Sequence, residues 1–411
     1  MDCGKGFLQI CSSAVFKGVV RFRALIFMLL ACLPLGAQKL RPALDVEVRG
    51  WLARHVSQPG VRAGGAIAEM VAEADRYNAE GGHESLRRAV EIDAQTVDER
   101  NWRKAADRYA SDDLFAYAHA LGCWLDATAD ASWADQLEKI SLNECLDFCL
   151  HPSDSASLNQ LDRTPASTEG RGLGDYVSRL WMLAGNGALV APLYGSSVLK
   201  AEVGGAVVTV EEITAYPFAG KVDFVITPSR GRLAFPLMLR IPSWCSHYDI
   251  NLNGRPLEFS MSSDRFLCIE RKWKAGDRVS LDLKMEPMIA GVEDQGASIW
   301  RGPLLYVLDA SSGPLNMAIA GDSDSYSESA LQGSFSSPVR LTVPAAEVPG
   351  WKAENGRPGD IDRKTGTDGA KSLMMLVPFH SAPLRITVFP VSGSFAGWIY
   401  DDSLYEENVL G

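Results

Sequence analysis

The stretch LMLRIPSWCSHYDINLNGRPLEF, Leu237–Phe259, decides the fold class of this chain. Its apolar residues come in short runs, and Pro, Asn, Asp and Gly interrupt them. Runs of this kind between turn residues are typical of β-strands. Comparable runs recur along the chain at steps of about ten residues, and this spacing predicts a β-sandwich.

The β pattern extends from this stretch in both directions. Upstream, VLKAEVGGAVVTVEEI predicts two alternating strands that meet in a hairpin at Gly204–Gly205. Downstream, segments such as RVSLDLKM and GPLLYVLD continue the pattern, and residues 311–337 are polar and small, which predicts a long surface excursion. We assign residues 189–309 to a β-sandwich domain and residues 310–400 to a further β region that closes the C-terminal domain.

The chain between residues 43 and 188 has a helical pattern instead. In DDLFAYAHALGCWLDATAD, apolar residues from Leu114 to Trp124 recur at steps of three and four, as on one face of a helix. The segment GDYVSRLWMLAG predicts another short helix that ends at Gly185. Consecutive helices with short loops are typical of helical hairpins in a bundle or toroid.

The N-terminus predicts a targeting segment. Arg21 and Arg23 precede the apolar run ALIFMLLACLPLGA, which ends in the small residues Gly36 and Ala37. This order is typical of a secretory signal peptide, here residues 1–37, and the run is too short to span a bilayer well. We therefore predict a secreted or periplasmic protein with no integral membrane span after cleavage, and Cys32 gives a lipoprotein anchor as an alternative. A buried core helix is the other interpretation of this apolar run.

The overall charge argues against one class of partner. The formal net charge is -11, and no block of Lys and Arg follows the signal segment. Because phosphate binding needs clustered cations, nucleic acid is not an expected partner.

Three potential metal ligands lie close together in NECLDFCLHPSD. Cys145 and Cys149 share a helix face, and His151 follows past the expected helix end. A structural zinc site needs four ligands, usually in pairs, and no second Cys pair is present. Since unpaired Cys is often buried, core packing is the alternative, and we predict that Cys145 and Cys149 are core residues.

Acidic side chains precede the long helices and favour carboxylate chemistry. They are Glu84, Glu91, Asp93, Asp98, Glu99 and Asp107. A glycosidase needs two carboxylates across the scissile bond, although any single acid could equally belong to a solvated face. Trp102 and Tyr109 stand beside them and could stack on sugars, whereas aromatic stripes at helical spacing usually belong to a core. We predict Glu91, Glu99 and Asp107 as catalytic candidates and Trp102, Tyr109 and His151 as substrate-binding candidates.

The β half resembles the C-terminal domains of glycoside hydrolase family 127, which contains β-L-arabinofuranosidases. The resemblance rests on LRIPSW, then NG, then the W..GD.V.L.L.M pattern of KWKAGDRVSLDLKM, then RGPLLYVL, in that order. Upstream, WLDATADASWADQLEKISLNECL and YVSRLWMLAGNGALVAPLYGSS look like the end of the family's helical domain. The likeness covers roughly Asp113 to Val391.

The resemblance implies an (α/α)-toroid catalytic domain followed by β-sandwich domains. It also implies a Cys nucleophile bound to zinc with two further Cys and a Glu, and a separate Glu as acid/base, to which Glu91 is a loose match. The family's Cys pair should fall in TPASTEGRGLGD, residues 164–175, which contains no Cys. The family's Glu-x-Cys best matches DRYAS, which has Asp107 and Tyr109 instead.

The predicted fold is α+β and multidomain, with a partial (α/α)-toroid-type helical N-terminal domain followed by one or more antiparallel β-sandwich domains. Residues 43–188 have room for about six or seven helices of average length, so the helical domain is shortened. The leading functional hypothesis is a β-L-arabinofuranosidase-like glycosidase that acts on terminal sugars of plant-type glycans, with no cofactor and no zinc. The alternatives are a catalytically inactive carbohydrate-binding or structural relative, and a truncated gene product.

Overall fold

The computed structural model describes most of the chain between residues 39 and 389. The described residues are 39–54, 65–100, 111–150, 173–257, 260–261, 265–292, 296–309, 317–319, 326–330, 339–347, 353–354, 357–358, 372–382, 385–387 and 389. For some of these, residues 94–100 among them, only the backbone is described. The predicted signal segment lies outside these ranges. No helix in the described ranges is both long and apolar enough to cross a bilayer.

The helices lie in the N-terminal half. They are α1 Gly65–Glu80, α2 His83–Arg100, α3 Ser111–Thr128, α4 Ala131–Ile140, α5 Leu146–Leu150 and α6 Gly174–Val177, with a π-helical turn Ser141–Cys145 between α4 and α5. Helix α4 begins after Asp130, whose carboxylate accepts a 2.9 Å hydrogen bond from the Ser132 N–H and so caps the helix.

The predicted apolar stripe of α3 is buried, as expected. Leu114, Tyr117, Ala118, Leu121 and Trp124 are all at most 6% exposed. The Trp124 indole donates to the Met70 carbonyl of α1 at 2.9 Å and stacks on Trp133 of α4, with ring centroids 5.7 Å apart. Helix α3 is therefore the element around which α1 and α4 pack. Closure of these helices into a toroid stays a prediction.

Two sheets make up the first part of the β region. Their strands are β1 Leu40–Pro42, β2 Val46–Val48, β3 Met182–Ala184, β4 Leu189–Ala191, β5 Ser197–Val203, β6 Ala206–Thr214, β7 Lys221–Pro228, β8 Arg232–Arg240, β9 Tyr248–Leu252, β10 Arg255–Pro256, β11 Ser260–Met261, β12 Phe266–Lys274 and β13 Asp277–Leu283. Among the described residues, sheet A has the order β1-β3-β4-β8-β12-β11 and sheet B the order β10-β9-β13-β7-β6-β5-β2. Their pairs are antiparallel except β4 with β8.

A shared core lies between sheets A and B. Alternate residues of β13, such as Val279 and Leu281, are fully buried, which is the period-two pattern of a strand with one face in the core. Trp181, just before β3, meets Phe224 of β7 edge to face at 5.7 Å. The predicted hairpin at Gly204–Gly205 is confirmed, because β5 and β6 pair up to this turn.

The third sheet follows in the chain. Its strands are β14 Pro287–Val292, β15 Gly296–Arg301, β16 Leu304–Asp309, β17 Met317–Ile319, β18 Ser327–Ala330, β19 Val339–Glu347, β22 Ser372–Pro378 and β23 Arg385–Ile386, while β20 Ala353–Glu354 and β21 Arg357–Pro358 form a separate pair. The main path of this sheet C is β14-β15-β16-β22-β19-β17, in which β18 joins β19 and β23 joins β16.

Three sequence predictions about elements are wrong. The segment predicted as a helix up to Gly185 ends its helix at Val177, and Met182–Ala184 is a strand because it pairs with β1 on one side and β4 on the other. Two strands, β1 and β2, precede the helices instead of following them. Within the predicted surface excursion, β17 and β18 pair with β19, and Ile319 is fully buried.

The α+β class is confirmed by this order of helices and antiparallel sheets. Sheet C is fastened to the helices by Asn143 in the π-helical turn. Its side-chain amide donates to the Pro303 carbonyl and accepts from the Leu305 N–H, both at 2.9 Å. Asn143 is fully buried, so helix and sheet meet without solvent between them at this point.

Candidate functional site

The predicted acid Glu91 lies on the outer side of helix α2. Its carboxylate is 3.3 Å from Nη1 of Arg88, and its side chain is 47% exposed. Arg88 also binds Glu69 of α1, with Nε 2.8 Å from a carboxylate oxygen. Glu91 is therefore an accessible, ion-paired carboxylate at the α1–α2 surface. Glu84, about two helical turns earlier, is likewise ion-paired, with its carboxylate 2.6 Å from Nη2 of Arg87.

The remaining predicted site residues lie outside the part of the chain whose side chains are described. Glu99 lies in helix α2, where only its backbone is described. The other four are Trp102, Asp107, Tyr109 and His151. Their roles stay predictions.

The cysteines of NECLDFCL lie in the helical core, as predicted. Cys145 is 1% exposed, and Cys149 packs against the same cluster. Burial raises the pKa of the Cys149 thiol to about 11, because the thiolate loses its hydration. Within the described ranges, no group of three or more His, Cys, Asp or Glu residues is arranged to hold a metal ion.

A buried arginine stands at the end of β8, where LMLRIPSW leaves the strand. Arg240 is fully buried, and its guanidinium binds Asp135 and Glu138 of helix α4 and the Pro192 carbonyl. The Tyr194 hydroxyl donates to the Arg240 carbonyl. Burial of a charged side chain away from water is costly unless the side chain is ion-paired and hydrogen-bonded. Arg240 meets both conditions.

Further hydrogen bonds complete the pairing of these two carboxylates. Glu138 accepts from the Tyr216 hydroxyl at 2.6 Å and from the Trp244 indole at 3.1 Å, and Asp135 accepts from the Ser243 N–H at 3.2 Å. Burial raises the pKa of Glu138, and the nearby Arg240 charge and the Tyr216 hydrogen bond oppose this rise. The IPSW loop is therefore held on helix α4 by charge-assisted hydrogen bonds.

A groove opens beside this network, between α4, the IPSW loop and sheet C. Its lining residues are Asp135, Gln136, Glu138, Lys139, Ser243, Trp244, Met288, Ile289, Ala290, Trp300, Gly302 and Pro303. Its cavity volume is about 60 Å³.

A second polar cluster joins helices α3 and α6. His119 Nδ1 is 2.9 Å from Asp175 Oδ1, and Cys123 Sγ is 3.6 Å from the Nε2 atom of the same ring. The buried Arg179 binds Asp175 at 2.9 Å and Asp126 with two nitrogens at 2.8 Å each. Sequence reasoning missed this cluster, although the spacing of four between His119 and Cys123 places both on one helix face.

A comparison with known protein families finds a match in the part of the chain that contains the IPSW loop. Residues 188–285 match the family model described as β-L-arabinofuranosidase, GH127 middle domain. This range contains β4 to β13 and the IPSW loop at its centre. The chain is a GH127-like protein.

Solved structures show the same fold for this GH127-like protein. A GH127 β-L-arabinofuranosidase from Geobacillus stearothermophilus T6 is 19% identical, with a TM-score of 0.58, and the match covers 80% of this chain and 61% of that one. A second GH127 β-arabinofuranosidase is 15% identical, with a TM-score of 0.56 and coverages of 82% and 61%. A protein described as a glycoside hydrolase is 20% identical, with a TM-score of 0.52 and coverages of 69% and 52%.

The GH127-like chain is thus shorter than the structures it matches and spans between 52% and 61% of their lengths. The comparison with curated proteins returned no match. The family resemblance places a Cys pair of a zinc site in residues 164–175, which contain no Cys, and residues 164–172 lie outside the described ranges.

Proposed function

We propose that this GH127-like protein is a glycosidase that removes terminal L-arabinofuranosyl groups from plant-type glycans. The observation that carries the proposal is the GH127 middle domain at residues 188–285, with its IPSW loop bound to helix α4 through Arg240. A carbohydrate is the corresponding substrate class.

The acid in this proposal is Glu91 or Glu99 of helix α2. Glycoside hydrolysis needs a carboxylic acid near the leaving oxygen and a second carboxylate, about 5–5.5 Å away for retention and about 6.5–9.5 Å away for inversion. The exposure of Glu91 supports its access to substrate, and Asp98 and Asp107 are the candidate partners. Trp102, Tyr109 and His151 are proposed to contact the sugar.

Replacement of each acid by Gln tests the proposal on an aryl arabinofuranoside. We expect Glu91→Gln or Glu99→Gln to lower kcat by about 100-fold or more, which is the usual contribution of a general acid. Glu84→Gln is the matched control, because Glu84 is an exposed carboxylate on the same helix with the same kind of arginine partner. Full cleavage by both variants would show that neither acid is catalytic.

A non-catalytic carbohydrate-binding protein is the second candidate function. The groove supports it, because the partly exposed Trp244 indole can contact a sugar ring and Gln136 and Ser243 supply hydrogen-bonding groups. Arabinan binding without cleavage of any furanoside would favour this function. In that case Trp244→Ala should weaken binding, whereas Glu91→Gln should leave it unchanged.

The proposed place of action is the cell exterior or the periplasm, in line with the charged-then-apolar segment at residues 1–37. Mass spectrometry of the N-terminus of the protein purified from its native cells tests this. A mature chain that starts near residue 38 supports export, and a chain that still carries Met1 contradicts it.

A further inference from the structure

Cys123 is a partly buried cysteine at the edge of the core with an imidazole beside it. It lies on helix α3 one turn after His119, and its sulfur is within hydrogen-bond distance of the imidazole, at 3.6 Å. Cys123 is partly exposed, and the His119 side chain is 38% exposed. A small molecule in solvent can therefore reach the pair.

The imidazole is held in place from its other side. Asp175 accepts from Nδ1 at 2.9 Å, and Arg179 fixes the same carboxylate through a second hydrogen bond of 2.9 Å. Asp126 holds Arg179 in turn with two hydrogen bonds of 2.8 Å. The ring thus points Nε2 toward the sulfur and cannot turn without the loss of its carboxylate partner.

The charges in this cluster favour a protonated imidazole. The hydrogen bond that His119 donates to Asp175, together with the contact to Cys123, raises the pKa of His119 to about 10. At neutral pH the ring is then an imidazolium with an N–H directed at the sulfur. A cation beside the sulfur is the environment in which cysteines react with electrophiles, because the thiolate is the nucleophile.

Two other cysteines provide a comparison within the same molecule, the buried Cys245 and Cys149, which is partly buried like Cys123. Burial raises the pKa of the Cys149 and Cys245 thiols to about 11 each. Both are therefore expected to stay protonated and slow at neutral pH.

We propose that Cys123 is a thiol–disulfide exchange site for small disulfides, with His119 and Asp175 as its positioning residues. The Cys123 thiolate attacks one sulfur of a disulfide R–S–S–R, the S–S bond of that molecule breaks, and a new S–S bond joins Cys123 to one half. The other half leaves as a thiolate and takes a proton from solvent. Cys123 is oxidised, the small disulfide is reduced, and excess small thiol reverses the step. This activity does not depend on the proposed glycosidase function.

The test uses the full-length native protein and the aromatic disulfide DTNB at pH 7. Release of the coloured thiolate gives the rate, and peptide mass spectrometry shows which cysteine is modified. We expect one fast equivalent that maps to Cys123 and disappears in Cys123→Ser. His119→Gln and Asp175→Asn should slow it by about tenfold, since they remove the cation or its orientation. Ser178→Ala is the matched control, because Ser178 contacts Arg179 but not His119, and it should keep the wild-type rate.

A second measurement compares the reaction rates of native and unfolded wild-type protein, so its result does not depend on whether the variants fold. In urea every thiol is accessible and has lost its neighbours, so the unfolded chain gives the reference rate per thiol. Native Cys123 should react faster than this reference. A native rate at or below the reference, a fast equivalent that maps to any cysteine other than Cys123, or an unchanged rate in a folded His119→Gln variant would each overturn the proposal.

Discussion

Glu212 is a buried carboxyl group whose described hydrogen bonds come from neutral groups. It lies on β6 opposite Ser197 of β5, 1% exposed, and accepts from the Ser197 hydroxyl and the Gly195 N–H at 2.9 Å each. Burial raises the pKa of Glu212 to about 8, and the two hydrogen bonds only partly oppose it. A single carboxyl group therefore couples the fold to pH in the neutral range.

The free energy of unfolding should fall as the pH rises from about 4.5 to about 8, because in this window the folded protein binds a proton that the unfolded chain has lost. Glu212→Gln removes this loss, because its amide is neutral, its oxygen can still accept from Gly195 N–H and its NH2 group can donate to the Ser197 oxygen. This variant should be more stable than wild type at pH 9 by up to a few kcal/mol. Urea unfolding at pH 5 and pH 9 measures it. Glu211→Gln, an exposed neighbour, is the control, and an equal pH effect in both variants would contradict the prediction.

Arg240 illustrates the opposite case, a buried charge with two partners. Its replacement by Met leaves Asp135 and Glu138 in the interior without their cation. We expect Arg240→Met to lower the free energy of unfolding by about 3–5 kcal/mol, the usual cost of one broken buried pair. Arg87→Met should cost less than about 1 kcal/mol, because Arg87 pairs with Glu84 at the surface, where both side chains are exposed. Equal losses in denaturant titrations of the two variants would show that burial of Arg240 does not matter.

At the scale of elements, short segments derive their conformation from their neighbours. Met182–Ala184 has an apolar sequence that fits a helix as well as a strand, and pairing with β1 and β4 makes it a strand. The π-helical turn Ser141–Cys145 is a second example, since it places Asn143 against the β15–β16 turn. Packing between elements decides such segments.

Asn143 allows this coupling of elements to be measured. Asn143→Ala leaves the Pro303 carbonyl and the Leu305 N–H without their partner, and each unsatisfied buried group costs about 1–3 kcal/mol. We expect a loss of about 2–4 kcal/mol in urea unfolding. Asn186→Ala is the control, because Asn186 caps only a local turn through the Ala188 N–H. A loss below 1 kcal/mol for Asn143→Ala would mean that sheet C is held by its apolar contacts alone.

At the scale of the whole molecule, the chain joins the segment that matches the GH127 middle domain, residues 188–285, to the helices before it. The match covers 61% of the length of each of two GH127 structures. Arg240 and Asn143 fasten the helical region to sheets A and C, so the IPSW loop, the groove and helix α4 form one continuous region.

The purified protein should contain no stoichiometric zinc. Residues 164–175, where the family resemblance places a Cys pair, contain no Cys, and the Cys145 thiol is 1% exposed in the core. Elemental analysis of protein purified without chelators should give less than about 0.1 zinc per chain, because a zinc site needs three or four converging ligands. A content near one zinc per chain would contradict this and would direct mutagenesis to Cys145, Cys149 and His151.

The sequence by itself determined the α+β class, the positions of most strands along the chain, and the burial of Cys145 and of the α3 stripe from Leu114 to Trp124. These features follow from local periodicity and turn residues, which can be identified in the sequence without knowledge of tertiary contacts. Only the tertiary structure decided that residues 182–184 form a strand, that Arg240 meets Asp135 and Glu138 from a helix about a hundred residues earlier, and that Asp175 orients His119 toward Cys123. Such contacts join residues far apart in the chain, and a burial or charge pattern states that a partner is needed but not which residue supplies it.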